Sequence, residues 1–172
     1  MELSRIAFLE TYNLEDNGGV MGAILVTDKD TKPVEFRVTA PIKTTNFQKT
    51  LYGDVLTEHV LVELISIPLI NAINEEIDLI LVKEPLFLGT NDKQGIRVVR
   101  ITNSEENHQS KNNNSIGTNG TALFVETSSK YESELPEIKE LVTQLSKGRN
   151  LMEPFERLKV ACEQVHLQKT SE

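Results

Sequence analysis

The chain has 172 residues, a formal net charge of -8 at pH 7 and 38% hydrophobic residues, so we predict one folded domain, residues 1–172. Lysine and arginine are scattered, so the chain lacks the basic block on which tight, non-specific nucleic-acid binding depends. The single cysteine, Cys162, rules out an intramolecular disulfide. The first residues enter a strand pattern without a signal-peptide core. The sequence therefore predicts a cytoplasmic protein, with neither nucleic acid nor membrane as a partner.

Three strands are predicted at the start of the chain. Residues 5–11 and 20–27 are apolar runs separated by a glycine-containing turn, and residues 34–39 alternate apolar and polar side chains. Because the connections are short, these strands are expected to form an antiparallel meander. Gly22 lies inside the second strand, which indicates a bulge or a close backbone approach.

A long apolar helix followed by a buried strand is predicted in the middle of the chain. Residues 54–73 are apolar around most of the helix circumference, which is typical of a helix buried on more than one side. Pro68 predicts a kink, since proline lacks the amide proton and crowds the preceding turn. Residues 78–82 are a short apolar run that is expected to be covered on both faces of a sheet. Charged residues and Pro68 within the helix argue against a membrane span.

Further strands are predicted at residues 96–101 and 121–127, and two amphipathic helices end the chain. Residues 103–120 contain almost no apolar side chains, so they are predicted to form a flexible low-complexity loop. The last helix carries an apolar stripe made of Leu151, Phe155, Leu158, Cys162 and Val165. The predicted fold is α/β (α+β-like), with a mixed sheet that starts with the three-stranded meander. The central buried helix covers one face, and the C-terminal helical pair covers the other face or an edge.

The order of these elements resembles that of the ribonuclease-H-like superfamily across roughly residues 5–102. In that superfamily the first strand and the strand after the first helix lie side by side, and their acidic residues bind catalytic divalent metals. The resemblance implies a nuclease that uses Mg²⁺ or Mn²⁺, or a degenerate relative of such a nuclease.

Three glutamates are the candidate metal ligands under this resemblance. Glu10 follows Ala7-Phe8-Leu9 in the first strand, where the superfamily typically has an aspartate within the strand. Glu63 lies inside the helix, and Glu84 closes the buried strand. The resemblance implies that these carboxylates hold the metals that position a water for phosphodiester hydrolysis. As ordinary residues they would be solvated or paired with cations.

No motif in the sequence specifies a chemistry. The sequence therefore favours a non-catalytic interaction or assembly protein that acts as a homo-oligomer, with the C-terminal helices binding a protein partner or a second copy. On this interpretation the chain is not an enzyme and needs no cofactor. Two alternatives stay open: the metal-dependent nuclease, or a degenerate relative, with Glu10, Glu63 and Glu84, and a small-molecule-binding regulatory domain with a pocket beside Pro68.

Overall fold

A computed structural model describes residues 2–103, 114–116 and 123–170. Within them, seven strands form one mixed sheet in the order β3-β2-β1-β4-β5-β7-β6. The strands are β1 (Ile6–Asn13), β2 (Val20–Thr27), β3 (Pro33–Val38), β4 (Leu79–Val82), β5 (Val98–Asn103), β6 (Asn114–Ile116) and β7 (Leu123–Glu126). Strand β4 runs parallel to both β1 and β5, and the other pairings are antiparallel. The α/β fold class and the initial meander are confirmed.

Three helices cover the two faces of this sheet. They are α1 (Asn46–Ala72), α2 (Leu135–Gly148) and α3 (Glu153–Thr170), and two 3-10 segments, Pro85–Asp92 and Ser129–Glu134, lie between them. Helix α1 connects β3 to β4 on one face, and α2 and α3 pack on the opposite face. Most of the predicted flexible loop, residues 103–120, lies outside the described residues.

Side-chain alternation along the central strands divides the core into two layers. In β1, Ile6 and Phe8 belong to the layer under α2 and α3, whereas Ala7 and Leu9 belong to the layer under α1. All four residues of β4 are buried, as predicted for a strand covered on both faces. Strand parity therefore decides which helix each residue of a central strand faces.

The apolar stripe of α3 packs against the chain's own sheet. Leu151, Phe155, Leu158 and Cys162 are each at most 1% exposed. The Phe155 ring meets Phe8 of β1 edge to face, with ring centroids 5.5 Å apart. The prediction that this stripe binds a protein partner or a second copy is therefore wrong, because its residues lie inside the core. Burial also raises the pKa of the Cys162 thiol to about 11, which keeps it protonated and unreactive at neutral pH.

Helix α1 continues through Pro68 instead of ending there. A π-helical stretch, Val60–Ser66, comes just before Pro68. Its backbone hydrogen bonds are spaced more widely than in an α-helix, so the helix tolerates the missing amide donor of the proline. The side chain of Ser66 does not cap a new helix but accepts a buried hydrogen bond from Thr90 at 2.9 Å. By length and hydropathy alone α1 qualifies as a membrane span, but Ile65 and Leu69 pack it against the sheet.

Gly22 lies at a close approach, but the neighbour is a side chain, whereas the sequence indicated a bulge or a close backbone approach. A Cβ atom built on Gly22 would lie 2.1 Å from Cγ2 of Ile65 in α1. Strand β2 and the π-helical stretch of α1 therefore touch at a point where the strand has room for a hydrogen only.

Candidate binding cleft

A cleft of about 370 Å³ opens where the parallel strands β1 and β4 end, between the sheet and α1. Its polar lining residues are Thr11, Asn13, Thr44, Thr57 and Glu84, and its apolar ones are Val20, Ile42, Leu56, Val60 and Leu61, with Gly19 at the edge. Ligands of open α/β sheets bind at the carboxyl ends of the strands. The position of this cleft makes it the candidate functional site.

One wall of the cleft depends on a glycine in a left-handed conformation. Gly19 has φ +91°, and a Cβ atom there would lie 2.3 Å from the carbonyl oxygen of Ile42. The amide of Val20 donates to that same oxygen at 3.0 Å, and the amide of Ile42 donates back to Val20 at 2.8 Å. A larger residue at position 19 would push this wall apart.

The opposite wall is the middle of α1. Leu56 and Thr57 precede the π-helical stretch, and Val60 and Leu61 begin it. The helix begins with a capping box, in which Thr45 and Gln48 satisfy each other's backbone amides at 3.1 Å and 2.8 Å. This capped segment ends at Tyr52, so the wall lies in the next part of α1, beyond Gly53, and presents apolar side chains to the cleft.

The cleft presents one carboxylate among neutral hydrogen-bonding groups. Glu84 comes directly after β4, and its Oε1 accepts a hydrogen bond from the amide of Leu86 at 3.2 Å, which orients the carboxylate. Thr11, Thr44 and Thr57 contribute hydroxyls, and Asn13 contributes an amide. The described lining residues include no lysine or arginine. Such a site favours a flat, largely neutral ligand that offers N–H donors.

Glu10 lies on the other face of the sheet. It follows Phe8 by two residues, so it points towards α3. Its charge interacts with Lys159 and Glu156 of that helix and with Lys83, which follows β4. The residue is only 8% exposed, and burial raises the pKa of its carboxyl despite a hydrogen bond from the Thr11 amide at 3.0 Å and the two lysines. Glu10 is thus a costly buried charge, separated from Glu84 by the sheet.

Replacing Glu10 by glutamine is expected to stabilise the protein at neutral pH. Because the pKa is raised in the folded state, the folded protein binds more protons, and its stability falls as pH rises above the ordinary value of 4.5. Glu10→Gln removes this loss, so the free energies of unfolding of the variant and the wild type should become equal below that pH. Urea unfolding from pH 4 to pH 7 measures the difference, with exposed Glu76→Gln as the control. Equal pH dependence in Glu10→Gln and wild type would contradict the assignment.

Glu63 lies apart from both of the other glutamates. It forms a half-exposed ion pair with Lys93 at 3.6 Å, of the kind that contributes little to stability. It lines a separate open cleft beside the stacked rings of Tyr52 and His59, whose centroids are 4.4 Å apart.

The structure therefore does not bring Glu10, Glu63 and Glu84 together. Among the described residues, no three His, Cys, Asp or Glu side chains are close enough to share a metal ion. A pair of divalent metals needs several converging carboxylates. The residues of the cleft supply only Glu84, so a Mg²⁺ or Mn²⁺ pair does not fit them.

The cleft residues other than Glu84 were not identified from the sequence. Thr11 lies two residues beyond Leu9, on the α1 face of β1, and it is this alternation that brings Thr11 and Glu84 to one cleft. The alternation of side chains along β1 already assigns Thr11 to one face of the strand. It places Thr11 beside Glu84 only once β1 and β4 are known to be neighbours.

Comparison with known proteins identifies the class of the fold. No protein-family model matches the chain, and no curated protein matches it. Endonuclease V from Bacillus subtilis superposes with a TM-score of 0.66 at 11% identity, covering 98% of this chain and 83% of that one. Endonuclease V from Streptomyces avermitilis gives a TM-score of 0.58 at 10% identity, with the same coverage of 98% and 83%. The chain therefore has the endonuclease V fold.

A third structure is Ciona intestinalis endonuclease V in complex with a 24-mer DNA that contains an inosine followed by a ribo-adenosine. It matches at a TM-score of 0.47 and 11% identity, over 98% of this chain and 88% of that chain.

These matches correct two expectations drawn from the sequence. The leading interpretation, a non-catalytic assembly protein acting as a homo-oligomer, is wrong, and the nuclease alternative or its degenerate form agrees better with the fold. The expectation that nucleic acid is not a partner rested on the net charge and on the scattered lysines and arginines, and it is overturned too, because both of the superposed structures are endonucleases. Net charge describes the whole surface and says little about one cleft.

Proposed function

We propose that this chain is a degenerate relative of the endonuclease V nucleases that binds single-stranded nucleic acid, taking one base into the cleft without a metal pair. The observation that carries the proposal is the position of the cleft at the carboxyl ends of two parallel strands, in a chain with this fold. A single strand is the expected form, because a base must be unstacked before it can enter a cleft.

The size and the lining of the cleft suit a single base. Its volume of about 370 Å³ lies in the range of small-molecule sites, roughly 300–1,000 Å³. Val60 and Leu61 offer apolar contact to the face of a ring, and the hydroxyls of Thr11 and Thr57 lie among them as hydrogen-bonding groups. Apolar walls with a few placed polar groups are typical of sites that fix the orientation of a ligand.

The charges at the cleft favour binding through the base rather than through the phosphates. Glu84 repels phosphate, and a cation described near the cleft is Lys43, whose Cγ would lie 2.9 Å from a Cβ atom built on Gly19. Each phosphate that a single strand pairs with a cation contributes about -0.7 to the slope of log K against log salt. With Lys43 as the pairing cation, we expect a slope no steeper than about -1.

Fluorescence anisotropy with a labelled single-stranded oligonucleotide tests the proposal. Thr57 is exposed on the wall of the cleft, so Thr57→Trp should fill the cleft without disturbing the core. We expect Thr57→Trp to weaken binding at least about tenfold, which corresponds to about 1.4 kcal/mol. Thr50→Trp is the matched control, because Thr50 is an exposed threonine of the same helix outside the cleft.

Two results would overturn the proposal. The first is the absence of binding by the wild-type chain to single strands of any composition. The second is equal affinity of the wild type and Thr57→Trp, which would place the bound strand elsewhere on the surface.

A further inference from the structure

We infer that Glu84 gives the cleft a preference for guanine over bases that lack two adjacent N–H donors on one edge. The inference rests on the proposed function, since it concerns the base that the same cleft takes. It starts from the position of the one carboxylate among the described lining residues of the cleft.

The carboxylate of Glu84 is oriented before any ligand binds. Glu84 is the N-cap of the 3-10 segment Pro85–Asp92, in an extended conformation with φ -80° and ψ 119°, and Pro85 restricts the backbone before it. The Leu86 amide donates to Oε1 at 3.2 Å. A carboxylate has about four acceptor positions on its two oxygens. The Leu86 amide uses one of them, so Glu84 still has acceptor capacity on both oxygens.

A carboxylate accepts hydrogen bonds and donates none, so it discriminates between bases by their donors. The guanine edge offers two adjacent donors, the ring N1–H and the exocyclic amine, which match the two oxygens of one carboxylate. Hypoxanthine offers the ring N–H alone. Adenine offers an amine beside a ring nitrogen that is an acceptor, and that nitrogen is repelled by the carboxylate. The expected order of affinity is guanine, then hypoxanthine, then adenine.

The surroundings of Glu84 strengthen this preference. Leu61 and Val60 are apolar parts of the same cleft, so a base that covers them shields its contact with Glu84 from water. Low local polarity strengthens each hydrogen bond to the carboxylate and makes an unmatched acceptor more costly. A bidentate contact between a side chain and a base discriminates by roughly 5- to 150-fold.

The test compares two single-stranded oligonucleotides that differ at one position, guanine in one and inosine in the other, by fluorescence anisotropy. The wild type should bind the guanine strand at least about fivefold more tightly. Glu84→Gln replaces one acceptor oxygen by a donor at nearly constant shape, and it should reduce this ratio to below about twofold. Glu63→Gln is the matched control, because Glu63 lies outside the cleft, and it should keep the wild-type ratio.

The outcomes separate this inference from the proposed function. Equal affinity of the wild type for both strands overturns the inference and leaves the proposed function in place, whereas no binding to either strand overturns both. An unchanged ratio in Glu84→Gln removes Glu84 as the source of the preference. Free guanosine and inosine form a second arm of the test. If free guanosine binds as tightly as the guanine strand, the base preference stands, but the ligand of the cleft is a nucleoside and not a nucleic acid.

Discussion

Replacing Phe155 by alanine is expected to destabilise the protein by about 3–5 kcal/mol, a large share of the stability of a typical domain. The ring is fully buried, contacts Phe8 of the central strand edge to face, and lies in the layer that joins α3 to the sheet. Its removal takes away apolar burial, the aromatic contact and the packing around both. The free energy of unfolding from urea titration is the measurement.

A surface position on the same helix provides the control for Phe155→Ala. Val160 is 50% exposed, so Val160→Ala should change the free energy of unfolding by no more than about 0.5 kcal/mol. A loss below about 1 kcal/mol for Phe155→Ala would contradict the packing of α3 on its own sheet. It would also reopen the question of what this helix covers.

Gly22→Ala is expected to destabilise the protein by about 3 kcal/mol or more, at the upper end of the range for overpacking. The new methyl group would lie 2.1 Å from Cγ2 of Ile65 and 3.2 Å from its Cβ and Cγ1. Ile65 is fully buried and belongs to the π-helical stretch, so neither it nor β2 has free space to move into. Urea unfolding measures the loss, and Gly148→Ala is the control, since nothing lies within 4 Å of a Cβ there.

A double-mutant cycle shows whether the clash is the cause of this loss. Ile65→Ala alone should cost about 2–5 kcal/mol through the cavity that it leaves. In Gly22→Ala/Ile65→Ala the closest clashing atom is absent, so the combined loss should fall short of the sum by about 1–3 kcal/mol. Strict additivity would show that the two positions do not touch.

Much of the fold was predictable because local pattern and tertiary packing agree. The apolar run in β2 and the alternation in β3 identified the meander, and Gly22 marked a real contact. The apolar side chains of the edge strand β3 are an exception, because Val34 and Phe36 are 38% and 36% exposed. The stripe on α3 was read correctly as a helix face, and the C-terminal helical pair was correctly expected to cover the sheet, but the same helices were also assigned a protein partner. A 3–4 spacing shows only that one face is apolar, and the sheet of the same chain covers it as well as a second copy would.

The exposed start of α1 could not be predicted from its apolar composition. The first segment of α1, Asn46–Tyr52, has no buried residue, and it ends at Gly53, whose φ of 53° and ψ of -128° interrupt the regular helix. The part of α1 that packs on the sheet begins only after this interruption. Phe47, Leu51 and Val55 are therefore 60–70% exposed.

The candidate site depended on facts that lie outside any single stretch of sequence. Glu10 lies in β1 and Glu84 follows the neighbouring strand β4, which suggested that they could act together. Because Glu10 faces α3 and Glu84 faces α1, the sheet separates them. One residue of offset along a strand moves a side chain to the other face, and the register of two strands distant in sequence is a property of the folded chain.

Metal dependence is the measurement that tests the central claim most directly, namely that this fold binds a base in its strand-end cleft without a metal pair. A labelled single strand is incubated with the chain in Mn²⁺, in Mg²⁺ and in EDTA, and both binding and strand length are followed. We expect the same dissociation constant in all three conditions and an intact strand. Cleavage that requires Mn²⁺ or Mg²⁺ and disappears in Glu84→Gln would contradict the account, because it would show that Glu84 holds a catalytic metal after all.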